Sequence, residues 1–93
     1  MIKSFKHKGL RKFFETGNLS GIQAAHSEKL RRMLTRLNFS VDSQGMNIPG
    51  WKLHPLKGRE LKDHFSVAVS GNWRMTFKFE GIDAVLVDYQ DYH

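Results

Sequence analysis

The spacing of apolar residues changes near the middle of the chain, and the change separates a helical part from a strand part. In the first part, apolar side chains recur every three or four residues, which places them on one side of a helix. A first helix is predicted around Leu10, Phe13 and Phe14, ending at Gly17-Asn18. A second helix, with Ser27 or a neighbour as its cap, carries a longer apolar stripe of Leu30, Met33, Leu34 and Leu37.

From residue 65 onward, apolar and polar residues alternate, which is typical of strands with one buried face. The alternation covers 65–70, 73–79 and 84–89, and the intervening pairs Gly71-Asn72 and Glu80-Gly81 predict tight turns. Strands joined in this way form an antiparallel meander. Turn signals fill 41–50, Trp51–His54 is predicted as a further strand, and Ile2, Ser4 and Phe5 as a short first one.

This element order predicts an α+β fold, with two N-terminal helices packed on one face of a mostly antiparallel twisted sheet. A chain of 93 residues is expected to form a single domain over 1–93. The apolar strand residues should pack under the helices. The other face of the sheet would then carry Arg74, Thr76 and Lys78, and it suits a nucleic-acid groove.

Composition favours anionic partners. The chain has 15 Lys and Arg against 9 Asp and Glu, a net charge of +6, and nucleic acid is the commonest partner of such a domain. A basic surface kept for solubility is the alternative. The absence of cysteine excludes disulfides and thiolate metal sites, and it fits a cytoplasmic location. No stretch reads as a membrane span or as a signal peptide, so no membrane association is expected.

Lys29, Arg32 and Arg36 fall together on the second helix, away from its apolar stripe. They form a solvated face, an RNA contact or a contact for an acidic partner segment, and the sequence leaves these alternatives open.

The C-terminal half holds the side chains needed to cut RNA without a metal or other cofactor. In that reaction a base removes the 2′-OH proton, the oxygen attacks the adjacent phosphate, and an acid protonates the departing 5′-oxygen. Histidine suits the proton transfers, and Lys or Arg stabilises the phosphate charge. The candidates are His54, Lys57, Arg74, Asp91, Tyr92 and His93.

Each candidate also has a structural interpretation. His54 could be an ordinary strand-end residue, Arg74 could pair with Asp88 or Asp91, and a terminal His93 is often frayed. A metal site using His54, His64, His93 and Asp91 lacks any supporting spacing, so no metal is expected.

Four segments, in order along the chain, resemble the HigB-like branch of the RelE/ParE toxin superfamily. They are Ile2–Leu10, Leu53-His54-Pro55-Leu56-Lys57-Gly58, Gly71-Asn72-Trp73-Arg74 and Asp88–His93. The resemblance implies a RelE-like toxin paired with a helix-turn-helix antitoxin, with operator DNA bound only through that antitoxin. It also implies cleavage of mRNA in the ribosomal A site and inhibition of translation.

The family's motif positions fall on the candidates named above. The resulting hypothesis is that His93 and His54 share the proton transfers, with Asp91 as an alternative base or as the group that orients a histidine. Arg74 and Lys57 stabilise the phosphate, and Tyr92 stacks on or positions a base. Basic residues expected to contact RNA are Lys29, Arg32, Arg36 and Lys78. Which group is the base and which the acid is left open.

One segment departs from the family pattern. Related toxins usually run Asp-x-x-Gly-x-Trp-Ser after the equivalent of Gly58, whereas this chain reads Arg59–Ser66, lacks that glycine and has Phe65 at the tryptophan position. A differently shaped loop beside Lys57 is therefore expected.

The alternative functions are a non-catalytic, ParE-like gyrase inhibitor on the same fold and a plain nucleic-acid-binding module. The nuclease hypothesis requires Asp91-Tyr92-His93 to lie close to His54, Lys57 and Arg74.

Overall fold

The computed structural model describes residues 1–92. Two helices precede a four-stranded antiparallel sheet whose strand order follows the chain. This confirms the predicted α+β class. The elements are α1 (Lys8–Thr16), α2 (Ser27–Phe39), β1 (His54–Pro55), β2 (His64–Ser70), β3 (Trp73–Glu80) and β4 (Asp83–Asp91).

Local interactions set the ends of the helices. The His7 ring accepts a hydrogen bond from the Leu10 backbone N–H and so caps α1. At the other end, Gly17 adopts a left-handed conformation, with φ of 80°, and donates its N–H to the Phe13 carbonyl. Of the caps predicted for α2, Ser27 or a neighbour, the position falls on the neighbour: His26 precedes Ser27, the first residue of α2, and makes no capping side-chain bond.

The hydrophobic core lies between the two helices and one face of the sheet. The helices bury the predicted stripe, and the strands bury alternate residues, so that both periodicities are satisfied by the same interface. Each fully buried leucine or phenylalanine contributes about 1.5–3 kcal/mol. The principal core side chains are Leu10, Phe13, Leu30, Met33, Leu34, Leu37, Val67, Val69, Met75, Phe77, Val87 and Tyr89.

The N-terminal segment follows β4 but does not form the predicted strand. It makes two isolated parallel bridges, Ile2 with Ala84 and Phe5 with Val87. Between them, Leu86 has a φ of 55° and donates its N–H to the Ser4 hydroxyl instead of to a backbone carbonyl. The ladder is therefore interrupted, although the segment still covers the outer edge of the sheet.

The predicted strand at Trp51–His54 is also wrong in its extent, because β1 covers only His54–Pro55. Lys52 has a φ of 52°, which ends the extended conformation just before the strand, and Pro55 has no N–H for the ladder. The last strand, in contrast, extends beyond the predicted 84–89 at both ends. Within the described residues, no helix has the length and apolarity needed to cross a membrane.

Candidate active site

A row of four polar side chains runs across the sheet on the face opposite the helices. The register pairs His54 with Ser66, Ser66 with Thr76, and Thr76 with Asp88, so each strand contributes one member of this polar row. The strand neighbours of Ser66, Thr76 and Asp88 belong to the core or pack against it, so these three side chains lie on the other face, and the register places His54 beside them. With about 4.8 Å between strands, the row spans about 14 Å.

Three members of the polar row are buried and one is accessible. Ser66, Thr76 and Asp88 are 0%, 5% and 9% exposed, whereas His54 lies exposed at the open end. The Asp88 carboxylate accepts one bond from the Tyr89 backbone N–H and another from the Gln90 side-chain amide. Asp88 is thus held in place by its own strand, and His54 is the member that can meet a substrate.

The contacts of His54 indicate which of its ring nitrogens carries the proton. Its Nδ1 lies 3.3 Å from the Lys52 carbonyl oxygen, and its Nε2 lies 3.4 Å from Ser66 Oγ. A carbonyl oxygen only accepts, so this contact favours the tautomer with the proton on Nδ1. In that tautomer Nε2 is unprotonated and accepts from the Ser66 hydroxyl on the polar face, so it can act as a general base when a substrate hydroxyl replaces that donor.

Arg74 lies on β3 two residues before Thr76, on the same face as the polar row, and it pairs with Gln90. Its buried Nη1 has no hydrogen-bond partner among residues 1–92. Nor does an ion pair join Arg74 to Asp88 within that range. An unpartnered buried donor costs about 1–3 kcal/mol, so its retention calls for an explanation, and a catalytic role is one such explanation.

The C-terminal tail is held beside the start of β3. Asp91 pairs with Trp73, and the Tyr92 backbone N–H donates to the Asn72 carbonyl at 2.8 Å. By strand alternation, the Asp91 side chain starts on the helix side of the sheet, which is the opposite face from Arg74. Tyr92 follows on the same face as Arg74 and is 38% exposed. The predicted catalytic His93 lies outside the described residues.

Lys57 lies near the opposite end of the polar face from the tail. The loop that contains it is tied to the sheet by the Leu56 N–H, which donates to the His64 carbonyl. Lys57 itself is exposed. The structure therefore places Lys57 and Arg74 at the two ends of the polar face, with the polar row between them.

His64 belongs to this face, although the sequence analysis considered it only for metal binding. It lies two residues from Ser66 on β2 and pairs with Lys78, whose ammonium is 3.5 Å from the Glu80 carboxylate. The His64 Nδ1 contacts the Lys62 carbonyl at 3.2 Å, as the His54 ring does with Lys52. The signal was present in the sequence, since His64 alternates in phase with Ser66.

The segment that departs from the family pattern has an irregular backbone and a regular packing role. Arg59–Leu61 form a single 3-10 turn, and Asp63 has a φ of 62° just before β2. Phe65 then stacks on Phe77, with ring centroids 6.3 Å apart. Phenylalanine thus fills an aromatic position against the core.

The basic residues of α2 lie away from the polar row. Lys29, Arg32 and Arg36 are on the helix layer, and Arg36 Nε donates to the Gly45 carbonyl at 2.6 Å. Of the four residues expected to contact RNA, only Lys78 shares the sheet face of His54 and Arg74. Among residues 1–92, no group of three or more His, Cys, Asp and Glu side chains is arranged to hold a metal.

A second histidine cluster lies on the helix side and has a packing role. Tyr89 stacks on Trp73 at 4.6 Å, and its hydroxyl is hydrogen-bonded to His26 Nδ1. The His7 ring meets Tyr89 edge-on at 5.4 Å. Burial raises the pKa of the Tyr89 phenol. These contacts join the N-terminus of α1 and the start of α2 to the sheet.

Comparison with known proteins identifies the family. Residues 3–93 match the model of the family described as the RelE-like toxin of type II toxin-antitoxin system HigB. The chain belongs to the HigB-like toxin family. It is also 42% identical over 93 residues, the full length of both chains, to Endoribonuclease HigB of Proteus vulgaris. The resemblance drawn from the four sequence segments is confirmed, and a type II toxin of this family implies an antitoxin partner.

Proposed function

We propose that this HigB-like toxin is a metal-independent endoribonuclease that cuts mRNA in the ribosomal A site and so inhibits translation. The observation that carries the proposal is the shared polar face of His54 and Arg74, where an accessible imidazole with an unprotonated Nε2 accompanies a buried guanidinium nitrogen that has no partner among residues 1–92. The name of the relative, an endoribonuclease at 42% identity over the full length, supports the same reaction class.

The proposed reaction begins at His54. Its Nε2 removes the proton from a ribose 2′-OH, and the resulting oxygen attacks the adjacent phosphorus. The bond from phosphorus to the 5′-oxygen then breaks, leaving a 2′,3′-cyclic phosphate, and a general acid protonates the departing oxygen. No cofactor enters this scheme.

Cations on both sides of the polar row stabilise the phosphate. Arg74 donates from its unpartnered nitrogen to a non-bridging oxygen as negative charge develops. Lys57 contributes from the exposed loop, and Lys78 contacts a neighbouring phosphate along the same face. These positions suit a substrate strand that follows the direction of β3, from Arg74 toward Lys78.

The general acid is assigned to a histidine. His93 is the candidate from the family motif, and His64 is the candidate that the register adds on the polar face. Asp91 is proposed to orient His93, since its own position opposite Trp73 starts it on the other side of the sheet from His54. Tyr92 is proposed to stack on an exposed base of the mRNA.

The cellular setting is part of the same proposal. The antitoxin is proposed to be a helix-turn-helix protein, with operator DNA bound only through it, and the site of action to be the cytoplasm, where ribosomes are found.

Cleavage mapping on programmed ribosomes tests the proposal. Wild type is expected to generate new RNA 5′ ends in the A-site codon, detected by primer extension, without added metal. His54→Ala should reduce the cutting rate about 10²- to 10⁴-fold. Lys12→Ala, an exposed change on α1, is the control and should cut normally. Absence of cuts with wild type, together with inhibition in a gyrase supercoiling assay, would replace the proposal with the ParE-like alternative.

A further inference from the structure

A concave groove lies on the outer side of α2, between the C-terminal half of this helix and the following loop. Its volume is about 870 Å³. The walls combine cationic and apolar side chains, of which the important ones are Arg31, Arg32, Arg36, Phe39, Val41 and Trp51. None of these residues belongs to the polar face, because α2 covers the other side of the sheet.

Two apolar side chains are left in water at this groove. Phe39, the last residue of α2, is 80% exposed, and Val41 is 59% exposed. Covering a phenylalanine fully is worth about 1.5–3 kcal/mol, so an adjacent exposed pair beside a concavity favours a binding partner.

The charge of the groove specifies the chemistry of that partner. The residues that line the groove include three arginines and a single carboxylate, Asp42. This carboxylate already accepts a hydrogen bond from the Gln44 backbone N–H at 3.0 Å. Arg36 is fixed by its bond to the Gly45 carbonyl, and the Arg31 guanidinium lies 5.7 Å from the Phe13 ring centroid. These preset arginines leave donors for carboxylates on a bound segment.

An acidic protein segment fits this surface better than RNA does. RNA binding uses cations and stacking rings, and the groove offers both in its arginines, Phe39 and Trp51. Its aliphatic wall at Val41 and Ile48, however, offers a base neither charge nor a π face, whereas it suits apolar side chains of a protein. An amphipathic segment uses both halves of the groove, since its apolar side enters the concavity and its acidic side meets the arginines.

We infer that this groove docks an acidic amphipathic segment of the antitoxin, with apolar side chains against Phe39 and Val41 and carboxylates on the arginines. The inference relies on the family for the existence of an antitoxin and on the proposed function for the cutting readout below. Because the groove and the polar row lie on opposite sides of the sheet, changes in the groove separate docking from cutting.

The test measures antitoxin affinity and RNA cutting for the same variants. The probe is the purified cognate antitoxin, titrated calorimetrically into the full-length toxin. Phe39→Ser and Arg31→Glu should each raise the Kd about tenfold or more. The matched controls are Ile82→Ser, an exposed apolar residue in the β3–β4 turn, and Lys12→Glu on α1. In both, the Kd should stay within about twofold of wild type.

The outcomes distinguish this inference from the proposed function. Unchanged affinity in both groove variants, with thermal unfolding like that of wild type, would overturn the inference. Retained affinity with loss of ribosomal cutting in Arg31→Glu would also overturn it, by assigning the groove to RNA. If wild type cuts no mRNA, the proposed function fails, and the calorimetric titration still decides whether the groove binds the antitoxin.

Discussion

Replacing Arg74 with methionine separates a functional cation from a structural one. Methionine retains most of the aliphatic stem and removes the guanidinium, including the buried Nη1 that has no partner within residues 1–92. Under the proposed function, Arg74→Met should abolish most cutting while leaving the fold intact.

Both magnitudes follow from the structure. Loss of one preorganised donor to a developing oxyanion lowers rates by about 10²–10³, or about 2.7–4 kcal/mol of transition-state stabilisation. On the folding side, the variant removes a buried donor whose desolvation costs about 1–3 kcal/mol. The free energy of unfolding should therefore stay the same or rise by up to about 2 kcal/mol, and in a domain of this size each kcal/mol raises Tm by about 4–8 °C.

Two assays on one protein preparation check this prediction. Single-turnover cutting on programmed ribosomes gives the rate, and urea unfolding gives the free energy. Arg11→Met is the matched control, because Arg11 is an exposed arginine on α1 that pairs only with Glu15 in the described residues, at 3.9 Å. Cutting by Arg74→Met within threefold of wild type, or a loss of more than about 2 kcal/mol of stability, would refute the reasoning.

Three further changes probe other parts of the molecule. His64→Gln should lower ribosomal cutting at least tenfold if His64 is the general acid, and single-turnover rates measure it. Tyr89→Phe removes the bond to His26 and should lower Tm by about 4–8 °C. Because burial raises the Tyr89 pKa, folded protein keeps a proton that unfolded chain releases above about pH 10, so stability falls there, and this fall should be shallower in the variant. Gly9→Ala should cost about 1–3 kcal/mol in urea unfolding, because its Cβ would lie 2.5 Å from the Gly21 carbonyl oxygen.

For each of these three variants, one experimental result would contradict the structural reasoning behind the prediction. Normal cutting by His64→Gln would leave His93 as the acid. A Tyr89→Phe protein with the wild-type Tm and alkaline profile would remove the role given to the His26 contact. Lys8→Ala, one residue before Gly9 and exposed, should leave stability nearly unchanged. Because alanine has the highest helix propensity, Gly9→Ala would stabilise α1 if nothing clashed, and a Gly9→Ala protein as stable as Lys8→Ala would contradict the close approach to Gly21.

The fold class followed from periodicity, because each period has one structural solution. The stripe from Leu30 to Leu37 buries only on a helix, and the alternation from Phe65 to Phe79 only on a strand. The irregular segments were harder to predict. The left-handed conformations of Lys52 and Leu86, which shorten β1 and interrupt the N-terminal ladder, depend on contacts with distant segments and leave no pattern in the local sequence.

The sequence by itself determined the inventory of the site. Residue types, charge and the family motifs together selected His54, Lys57 and Arg74 from the 93 residues. It also determined which face of each strand would be polar, since alternation along a strand is a local property.

Only the tertiary structure decided which of these side chains are neighbours. The strand register aligns His54 with Ser66, Thr76 and Asp88. It also places His64 on the same face as this row, and it places Asp91 opposite Trp73, on the helix side of the sheet. The physical reason is that register depends on how whole strands pair and bury their apolar sides, so a shift of one residue would move every polar group to the opposite face. The groove beside α2 likewise exists only because the loop after Phe39 folds back against the helix, as in the bond from Arg36 to Gly45.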